Sequence, residues 1–588
     1  MSRSCSMSSS RLCKPLASVA PVAPRGFEHF RHGMLRHARA WAVVAAGVTG
    51  VASLATLSSA ATDPALDALR ASAATDKAAM SAVLDTLGAR YERASIMLGE
   101  SNWALYTKTA GPAREAPKEQ LNAILIDDAN HNLVKAWLAK GDTDATFKRR
   151  LTLWHNAMIG ADVDLDSRIR GMADKMTPEI VNYEAKIDGR VVDRKDIRQM
   201  LSGDKDRDRR RKAYEVYIPL AKLMEKNVIQ LVRLRNAKAK SLGYPDYPHL
   251  VMALNGLDYD WVMTALQKIR SGTDDIYTDW LSSATRTYTL DVPYAWDLRF
   301  LAQQTTALPD RYFPADKAQD RLGVTMTGMG FDLTKLPVKI ATADIPFGGQ
   351  NIAVAIPGDD RLLVNPASGS RFYEALFHET GHALETALCA QTDPMFKGYE
   401  WTLGASEPAM SEGIANTMAE FIHNPDWLKT IGALPPDEVK RGLPLIKKAE
   451  AFELRSQLVD ALTELELYHN PAGDIGGYER RLRKEILGVD TPQASQSWWA
   501  ASPYLLDYPV YQENYIIASM ISENVQDAMV EKFGPQPWTK LEAGTWLKDT
   551  FLAPGQSNSW QEKLQAGTGK PLDVDQFVAK YKSMVTGN

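Results

Sequence analysis

Cysteine is scarce in this sequence. Only Cys5, Cys13 and Cys389 occur among 588 residues, and the first two lie in a stretch that we expect to be a removed leader. With one thiol left, an intrachain disulfide is excluded, although the compartment reached by an exported protein would permit one. Cys389 lies seven residues beyond the second histidine of the motif described below. We therefore expect a small, buried, apolar side chain there and not a metal ligand.

Basic clusters, internal repeats and low-complexity linkers are also lacking. The run Lys205–Arg211 mixes both signs of charge and is typical of a solvated helix start. Residues 1–60 hold seven of the 68 basic residues and one of the 72 acidic residues, so their removal makes the formal charge more negative than −4. An acidic balance argues against a nucleic-acid partner. No linker divides the rest, and we expect one domain over residues 61–588.

The first 60 residues have the pattern of a signal peptide. A basic segment ending at Arg39 precedes an apolar run from Ala40 to Leu57, and small residues follow up to Ala60. Met34 is an alternative start that would give a signal peptide of ordinary length. This pattern predicts export to the periplasm or beyond, with no stable membrane association after cleavage. The alternative is an uncleaved anchor, because the apolar run is just long enough to span a bilayer.

The chemistry-bearing motif is His-Glu-Thr-Gly-His at residues 378–382. Helical positions four apart lie on one face, so His378 and His382 can bind one metal ion together. Glu379 lies beside them, where a carboxylate can take a proton from water that the metal activates. The flanks are apolar over much of the stretch Ser370–Ala390, which predicts a buried helix. A metal would satisfy ionisable groups that are costly to bury alone; the alternative is a solvated His/Glu face or hydrogen-bonded core histidines.

A catalytic zinc ion usually takes three protein ligands, so a third ligand should follow downstream. The candidate carboxylates are Glu385, Glu407, Glu412 and Glu420. Glu385 is on the same helix and cannot easily reach around the ion. Glu407 precedes a proline and is typical of a helix entrance, where capping is the simpler explanation. We favour Glu412, one turn inside that helix, with Glu407 as the alternative; Asn416, four residues later, would support a ligating group.

Apart from the segment around the motif, hydrophobic spacing predicts a mainly α-helical protein. The predicted helices are 64–95, 119–140, 145–175, 206–242, 257–285, 435–468, 509–532 and 573–586. Short β-prone runs at Lys339–Ala341, Asn351–Ile356 and Leu362–Val364 predict a small sheet next to the metal helix. An edge strand there can bind an extended peptide through its backbone. The candidate substrate-binding residues are Gly348, Gly349, Asn351 and Ala353; the alternative is a structural hairpin.

Three segments carry a resemblance to known peptidases. They are FHETGHALETAL with SEGIANTMAEF after it, the tyrosine-rich YLLDYPVYQENYIIASMISENVQDAM, and the charged helix Arg207–Leu242. Together they resemble gluzincin zinc metallopeptidases of the angiotensin-converting-enzyme and thimet-oligopeptidase families. The resemblance implies a two-lobed helical fold with a deep central cleft, one Zn²⁺ per chain and short peptide substrates. It also implies peptidyl-dipeptidase or oligopeptidase activity.

In those families a tyrosine near the C-terminal end donates a hydrogen bond to the oxyanion of the reaction. The matching segment indicates Tyr515, with Tyr511 as the alternative. A phenol suits this role because it remains a neutral donor at pH 7. The alternative is a role in packing, because the tyrosines of this segment recur at helical spacing, as is typical of side chains that form one buried face of a helix.

The sequence departs from the family pattern in the loop and around the tyrosines. The gap between His382 and Glu412 is longer than usual, which enlarges the loop Met395–Gly404. Asn514 stands where the converting enzymes have an arginine for chloride, so we expect no chloride activation. No clear counterpart of the substrate-binding histidines is present.

Two other functions remain as alternatives to a peptidase acting on short peptides. One is a zinc aminopeptidase, although no G-x-M-E-N-type motif for the substrate amine occurs. The other is a catalytically weak peptide-binding protein of the same fold. The intact Glu379 and both histidines argue against the second alternative.

Overall fold

The structure, a computed structural model, describes residues 63–586 apart from positions 143, 344, 346–347, 366–368, 494–497 and 503. The predicted signal peptide, its alternative start and the possible anchor all lie outside the described residues. Within the described range, no helix combines the length and the apolar character needed to cross a bilayer.

The prediction of a mainly α-helical protein with a small sheet is confirmed. The arrangement as two lobes around a cleft stays a prediction. Before the sheet the helices are α1 (Pro64–Ala73), α2 (Lys77–Thr107), α3 (Glu115–Leu125), α4 (Asp128–Lys140), α5 (Ala145–Asp164), α6 (Ser167–Val181), α7 (Arg194–Gly203), α8 (Arg207–Glu215), α9 (Ile218–Ser241), α10 (Tyr247–Leu254), α11 (Tyr259–Gly272), α12 (Asp274–Thr287), α13 (Leu298–Thr306) and α14 (Ala318–Gly328). After it they are α15 (Ser370–Ala387), α16 (Pro408–Ala419), α17 (Pro425–Thr430), α18 (Pro436–His469), α19 (Ile475–Leu487), α20 (Tyr504–Asp507), α21 (Gln512–Phe533), α22 (Leu541–Leu547), α23 (Trp560–Thr568) and α24 (Val574–Thr586).

Several long predicted helices are divided in the structure at aspartates. The stretch predicted over 64–95 breaks before Asp76, whose side chain accepts the Ala78 N–H and starts α2. Asp166 similarly separates α5 from α6. A carboxylate that bonds free N–H groups stabilises a new helix start by about 1 kcal/mol, so it favours a break over continuation. The same kind of cap begins other helices, at Asp63, Asp127, Asp144, Asp193, Asp206, Asp246, Asp258 and Asp474.

The predicted sheet forms directly before α15. Its strands are β3 (Val338–Thr342), β4 (Gly349–Ala355) and β5 (Asp359–Val364), in the order β3-β5-β4. β3 runs parallel to β5, and β4 runs antiparallel to it with a bulge near Ala353. A separate two-stranded hairpin consists of β1 (Lys186–Ile187) and β2 (Arg190–Val191). β4 is therefore an edge strand of the sheet next to the motif helix.

Close packing of α15, α16 and α21 builds the core around the motif. A Cβ at Gly381 would lie 2.5 Å from the Ala415 Cα, and a Cβ at Gly413 would lie 2.7 Å from the Ile521 Cγ2. Phe377 is fully buried on α15 and packs edge-on against Trp427, with ring centroids 5.8 Å apart. The motif helix is thus buried, as its flanks predict.

Cys389 lies just after α15 and is 5% exposed. The expectation of a buried thiol at this position is confirmed.

We predict that Gly381→Ala destabilises the protein. The added methyl group meets backbone that cannot yield, and overpacking of this kind costs about 1–3 kcal/mol. Urea unfolding followed by circular dichroism measures the effect. Gly323→Ala in α14 is the matched control, because nothing lies within 4 Å of its Cβ position. That variant should instead gain roughly 0.5–1 kcal/mol; an equal response of both variants would contradict close helix contact at Gly381.

Candidate metal centre

The structure brings three of the predicted site residues together. His378 and His382 extend from α15 and Glu412 from α16, the next helix. The Nε2 atoms of the two histidines are 3.3 Å apart. Glu412 Oε2 lies 3.3 Å from the Nε2 of His378 and 3.7 Å from that of His382. These atoms can all bind one ion.

The donor set fits zinc. Tetrahedral zinc with bonds of about 2.0–2.1 Å separates its ligand atoms by roughly 3.4 Å, close to the spacing of these three atoms. Glu412 Oε2 is a buried acceptor without a hydrogen-bond partner among the described residues. Burial lowers the pKa of His382 to about 4, so its ring is neutral, which is the form that binds a metal. The prediction of Zn²⁺ as the cofactor is supported, and these three residues form its candidate metal centre.

The other ring nitrogen of each histidine is also engaged. His378 Nδ1 lies 3.0 Å from Asn416 Oδ1, where the sequence predicts a supporting residue. His382 Nδ1 lies 3.0 Å from Ser411 Oγ. Ser411 also hydrogen-bonds Glu385, one of the carboxylates considered as a ligand. Such partners orient metal-binding imidazoles. Ser411 is missed by sequence reasoning, and the available signal is its position next to Glu412.

The alternative third ligand, Glu407, lies in a different set of contacts. Its Oε1 is 2.9 Å from Nη2 of Arg149, and its Oε2 accepts the Trp560 N–H at 2.8 Å. Both carboxylate oxygens therefore have partners that belong to other helices. Glu420 pairs instead with His423. Of the four downstream candidates, Glu412 is the carboxylate that lies between the two histidines.

Glu379 is held between α15 and strand β4. A Cβ at Gly349 would lie 2.6 Å from the Glu379 Cγ, so only glycine leaves room for the carboxylate there. Burial raises the pKa of Glu379 to about 7, opposed by His378 and by the Asn351 backbone N–H. Like charges on Glu412 add to the increase. A carboxyl group with such a pKa can both accept and donate a proton near neutral pH.

The two candidate tyrosines differ in their contacts. The Tyr511 hydroxyl donates to Glu412 Oε1 at 3.2 Å, on the oxygen that faces away from the histidine contacts. Tyr515 lies next to it, with ring centroids 5.1 Å apart, and shares a hydrogen bond with the Tyr504 hydroxyl. Burial and the Glu412 charge raise the pKa of Tyr515 well above its usual range. Its hydroxyl therefore stays a donor at neutral pH.

The candidate substrate-binding residues lie in β4 or, for Gly348, just before it. Gly348 is exposed and Gly349 adjoins Glu379. The Asn351 side chain donates to Asp360 Oδ1 at 2.6 Å, so only its backbone faces Glu379. Helix α2 packs on the other end of the strand, where a Cβ at Gly99 would lie 3.1 Å from the Ala353 carbonyl oxygen. The Gly348–Asn351 end is therefore the part of β4 nearest the metal centre.

No protein-family model and no curated protein matches this sequence. Solved structures with a similar fold include Trypanosoma cruzi metallocarboxypeptidase 1, at a TM-score of 0.58 and 14% identity, covering 86% of this chain and 99% of that chain. Pyrococcus furiosus carboxypeptidase is similar at the same TM-score of 0.58 and 14% identity, with 85% and 98% covered. At this identity the likeness establishes a shared fold.

We predict that Glu412→Gln loses bound zinc and that Glu407→Gln keeps it. An amide oxygen is a much weaker ligand than a carboxylate, whereas Glu407 stabilises Arg149 and the start of α23. Metal content after gel filtration, measured by inductively coupled plasma mass spectrometry, separates the two. Ser411→Ala should retain the site with zinc affinity lowered by about 10–100-fold. Zinc retained by Glu412→Gln and lost by Glu407→Gln would reverse the ligand assignment.

Proposed function

We propose that this protein is a zinc-dependent metallopeptidase that removes residues from the C-terminal end of short peptides. The observation that carries the proposal is the convergence of His378, His382 and Glu412, with the buried carboxylate Glu379 directly after His378 on α15. Metal-assisted hydrolysis needs these parts together: three ligands, a general base and a nearby donor for the developing negative charge.

A zinc ion held by the three ligands would supply a Lewis acid that polarises a carbonyl group and acidifies water. Glu379 accepts the proton of the attacking water and later delivers it to the nitrogen of the leaving amine. Its raised pKa suits both transfers. The Tyr515 hydroxyl donates to the oxyanion as the carbonyl carbon becomes tetrahedral. Tyr511 orients Glu412 through its hydrogen bond and so positions a ligand.

We propose that the peptide backbone binds along the edge of β4. Gly348 and Gly349 have no side chain that would hold an extended chain away from the strand. The Asn351 N–H interacts with Glu379. A peptide carbonyl can compete for that N–H, which would free the Glu379 carboxylate beside the scissile bond. Ala353 lies under α2, so the pairing would end before it.

Two observations favour action at the C-terminal end. The converting-enzyme-like motifs imply a peptidyl-dipeptidase, and two of the proteins with a similar fold are carboxypeptidases by name. Both activities require a free C-terminal carboxylate on the substrate. Endo-cleavage of oligopeptides, as the thimet-like features imply, is the second candidate.

We also retain export as a proposal. The leader over residues 1–60 would place the enzyme in the periplasm or outside the cell, where it would act on short peptides.

The experiment that tests the function uses one peptide sequence in four forms, which differ in whether each end is blocked. Purified protein is incubated with a free peptide, its N-acetylated form, its C-terminal amide and the doubly blocked form, each with and without a chelator. Mass spectrometry of the products then identifies the bond that is cleaved. We expect the N-acetylated peptide to be cleaved and the C-terminal amide to resist. Cleavage of the doubly blocked peptide indicates an oligopeptidase, and cleavage that needs a free N-terminus indicates an aminopeptidase.

We predict that Glu379→Gln abolishes hydrolysis without releasing zinc. Loss of the proton acceptor lowers kcat by at least about 10²–10⁴-fold, while the three ligands stay in place. Steady-state kinetics and metal analysis on the same sample measure both effects. Full activity in the variant would rule out Glu379 as general base. If the variant keeps the zinc content of the wild type, binds peptide and hydrolyses none, the activity of the wild-type preparation belongs to this protein and not to a contaminant.

We further predict different effects for the two tyrosines. Tyr515→Phe should lower kcat by about 10²–10³-fold with unchanged zinc affinity, because a donor to the oxyanion is lost. Tyr511→Phe should mainly weaken zinc binding, because Glu412 loses its hydrogen-bond donor. Competition with a chelator gives the zinc affinity and initial rates at saturating zinc give kcat. The opposite pattern would exchange the two assignments.

A further inference from the structure

A second group of metal-binding side chains lies outside the centre described above. Glu420 and His423 belong to the short 3₁₀ turn Glu420–His423 that follows α16, and Glu450 lies in α18. One atom of each side chain can approach a common point. Glu374, which lies on α15 one turn before His378, contacts His423.

The spacing of this group is close to that of the first centre. His423 Nδ1 lies 3.4 Å from Glu420 Oε2 and 3.9 Å from Glu450 Oε1. At the first centre the corresponding distances run from 3.3 to 3.7 Å. These distances are too long for good hydrogen bonds. Bonds of about 2.0–2.2 Å around a tetrahedral ion separate ligand atoms by roughly 3.3–3.6 Å, so the Glu420 distance fits one ion and Glu450 lies slightly farther away.

The atoms that face each other are buried and lack a hydrogen bond. Both His423 Nδ1 and Glu450 Oε1 are inaccessible to solvent and have no hydrogen-bond partner among the described residues. At the first centre, Glu412 Oε2 is likewise buried and has no hydrogen-bond partner among the described residues. A buried polar atom without a partner costs about 1–3 kcal/mol, so two of them around one gap indicate an occupant.

The remaining atoms of the group are already held in place. His423 Nε2 lies 3.2 Å from Glu374 Oε1, which resembles the carboxylate–histidine pairing that orients metal ligands. Glu450 Oε2 accepts from Lys447 Nζ at 2.8 Å and from the Tyr581 hydroxyl at 3.3 Å. His423 and Glu450 are thus each anchored by one atom, and the other atom of each faces the gap.

The charge around the gap also favours a cation. Glu420 and Glu450 face it, with Lys447 as the neighbouring cation. Glu523 and Asp527 lie nearby, but both pair with Lys580, at 2.8 and 2.7 Å.

We propose that Glu420, His423 and Glu450 form a second zinc site, which ties the turn after α16 to α18 and, through Glu374, to the motif helix. One imidazole and two carboxylates suit zinc, whereas calcium would require six or more oxygen ligands. The ion would have a structural role, because it would neutralise half-buried carboxylates next to α15. This site goes beyond the proposed function, since it requires no peptide substrate.

The test counts zinc ions in the intact protein. Protein is stripped with a chelator, reloaded with Zn²⁺ and weighed by native mass spectrometry, with elemental analysis as the second count. The wild type should hold two ions per chain and Glu450→Gln one, with peptidase activity retained. Glu453→Gln is the matched control on α18, because its carboxylate pairs with Arg371 at 3.7 Å and not with the group. It should still hold two ions.

A second pair of variants separates this site from the first. In a Glu412→Gln background one ion should remain, and His423→Asn added to that background should remove it. Added Zn²⁺ should raise Tm in the single variant and not in the double variant. Circular dichroism verifies that each variant is folded. One ion in the wild type and none in Glu412→Gln would overturn the proposal and leave His423 as a protonated bridge between carboxylates. Because the readout is a metal count, inactivity on peptides does not affect it.

Discussion

Close contact between α15 and α16 is the constraint on which the metal centre depends. His378 and His382 share a helix face by local geometry alone, but their third partner is on another helix. Gly381 lies one residue before the second histidine, and a side chain there would collide with the Ala415 backbone. Because Gly381 has no side chain, Glu412 Oε2 can lie 3.3 Å from the Nε2 of His378 and 3.7 Å from that of His382. Any larger side chain at the contact would separate the helices and with them the ligands.

The same packing places several ionisable groups in a buried region, so each must find a partner. Asp360 is 2% exposed on β5 and accepts hydrogen bonds from Asn351 on β4 and Thr386 on α15. That one carboxyl group joins the sheet to the motif helix and sets the end of β4 against Glu379. Behind the helix, Glu374 connects α15 to the Glu420, His423 and Glu450 group. The motif helix is therefore held from two sides by polar contacts that hydrophobic packing alone would not supply.

The motifs and the fold resemble different peptidases. The three sequence segments resemble the converting-enzyme and thimet-oligopeptidase families, whereas the solved structures with a similar fold include two carboxypeptidases. A common scaffold can carry different specificities, because the ligand helices lie in the core while loops and strand edges contact the substrate. The Gly349–Asn351 end of β4, which adjoins Glu379, is such a strand edge in this chain.

The sequence by itself determined the helical class, the sheet before the motif, the helix that carries the two histidines, and Glu412 and Asn416 one turn apart. These follow from periodicity and turn residues, which act over a few positions. Only the tertiary structure decided which residues meet around the site. Ser411 contacts His382, and Gly349 leaves room for Glu379. Tyr511 donates a hydrogen bond to Glu412, and Arg149 forms an ion pair with Glu407. Each of these contacts joins elements distant in the chain. Local propensity carries no information about such pairs, because they arise only when helices pack and buried polar atoms must be satisfied.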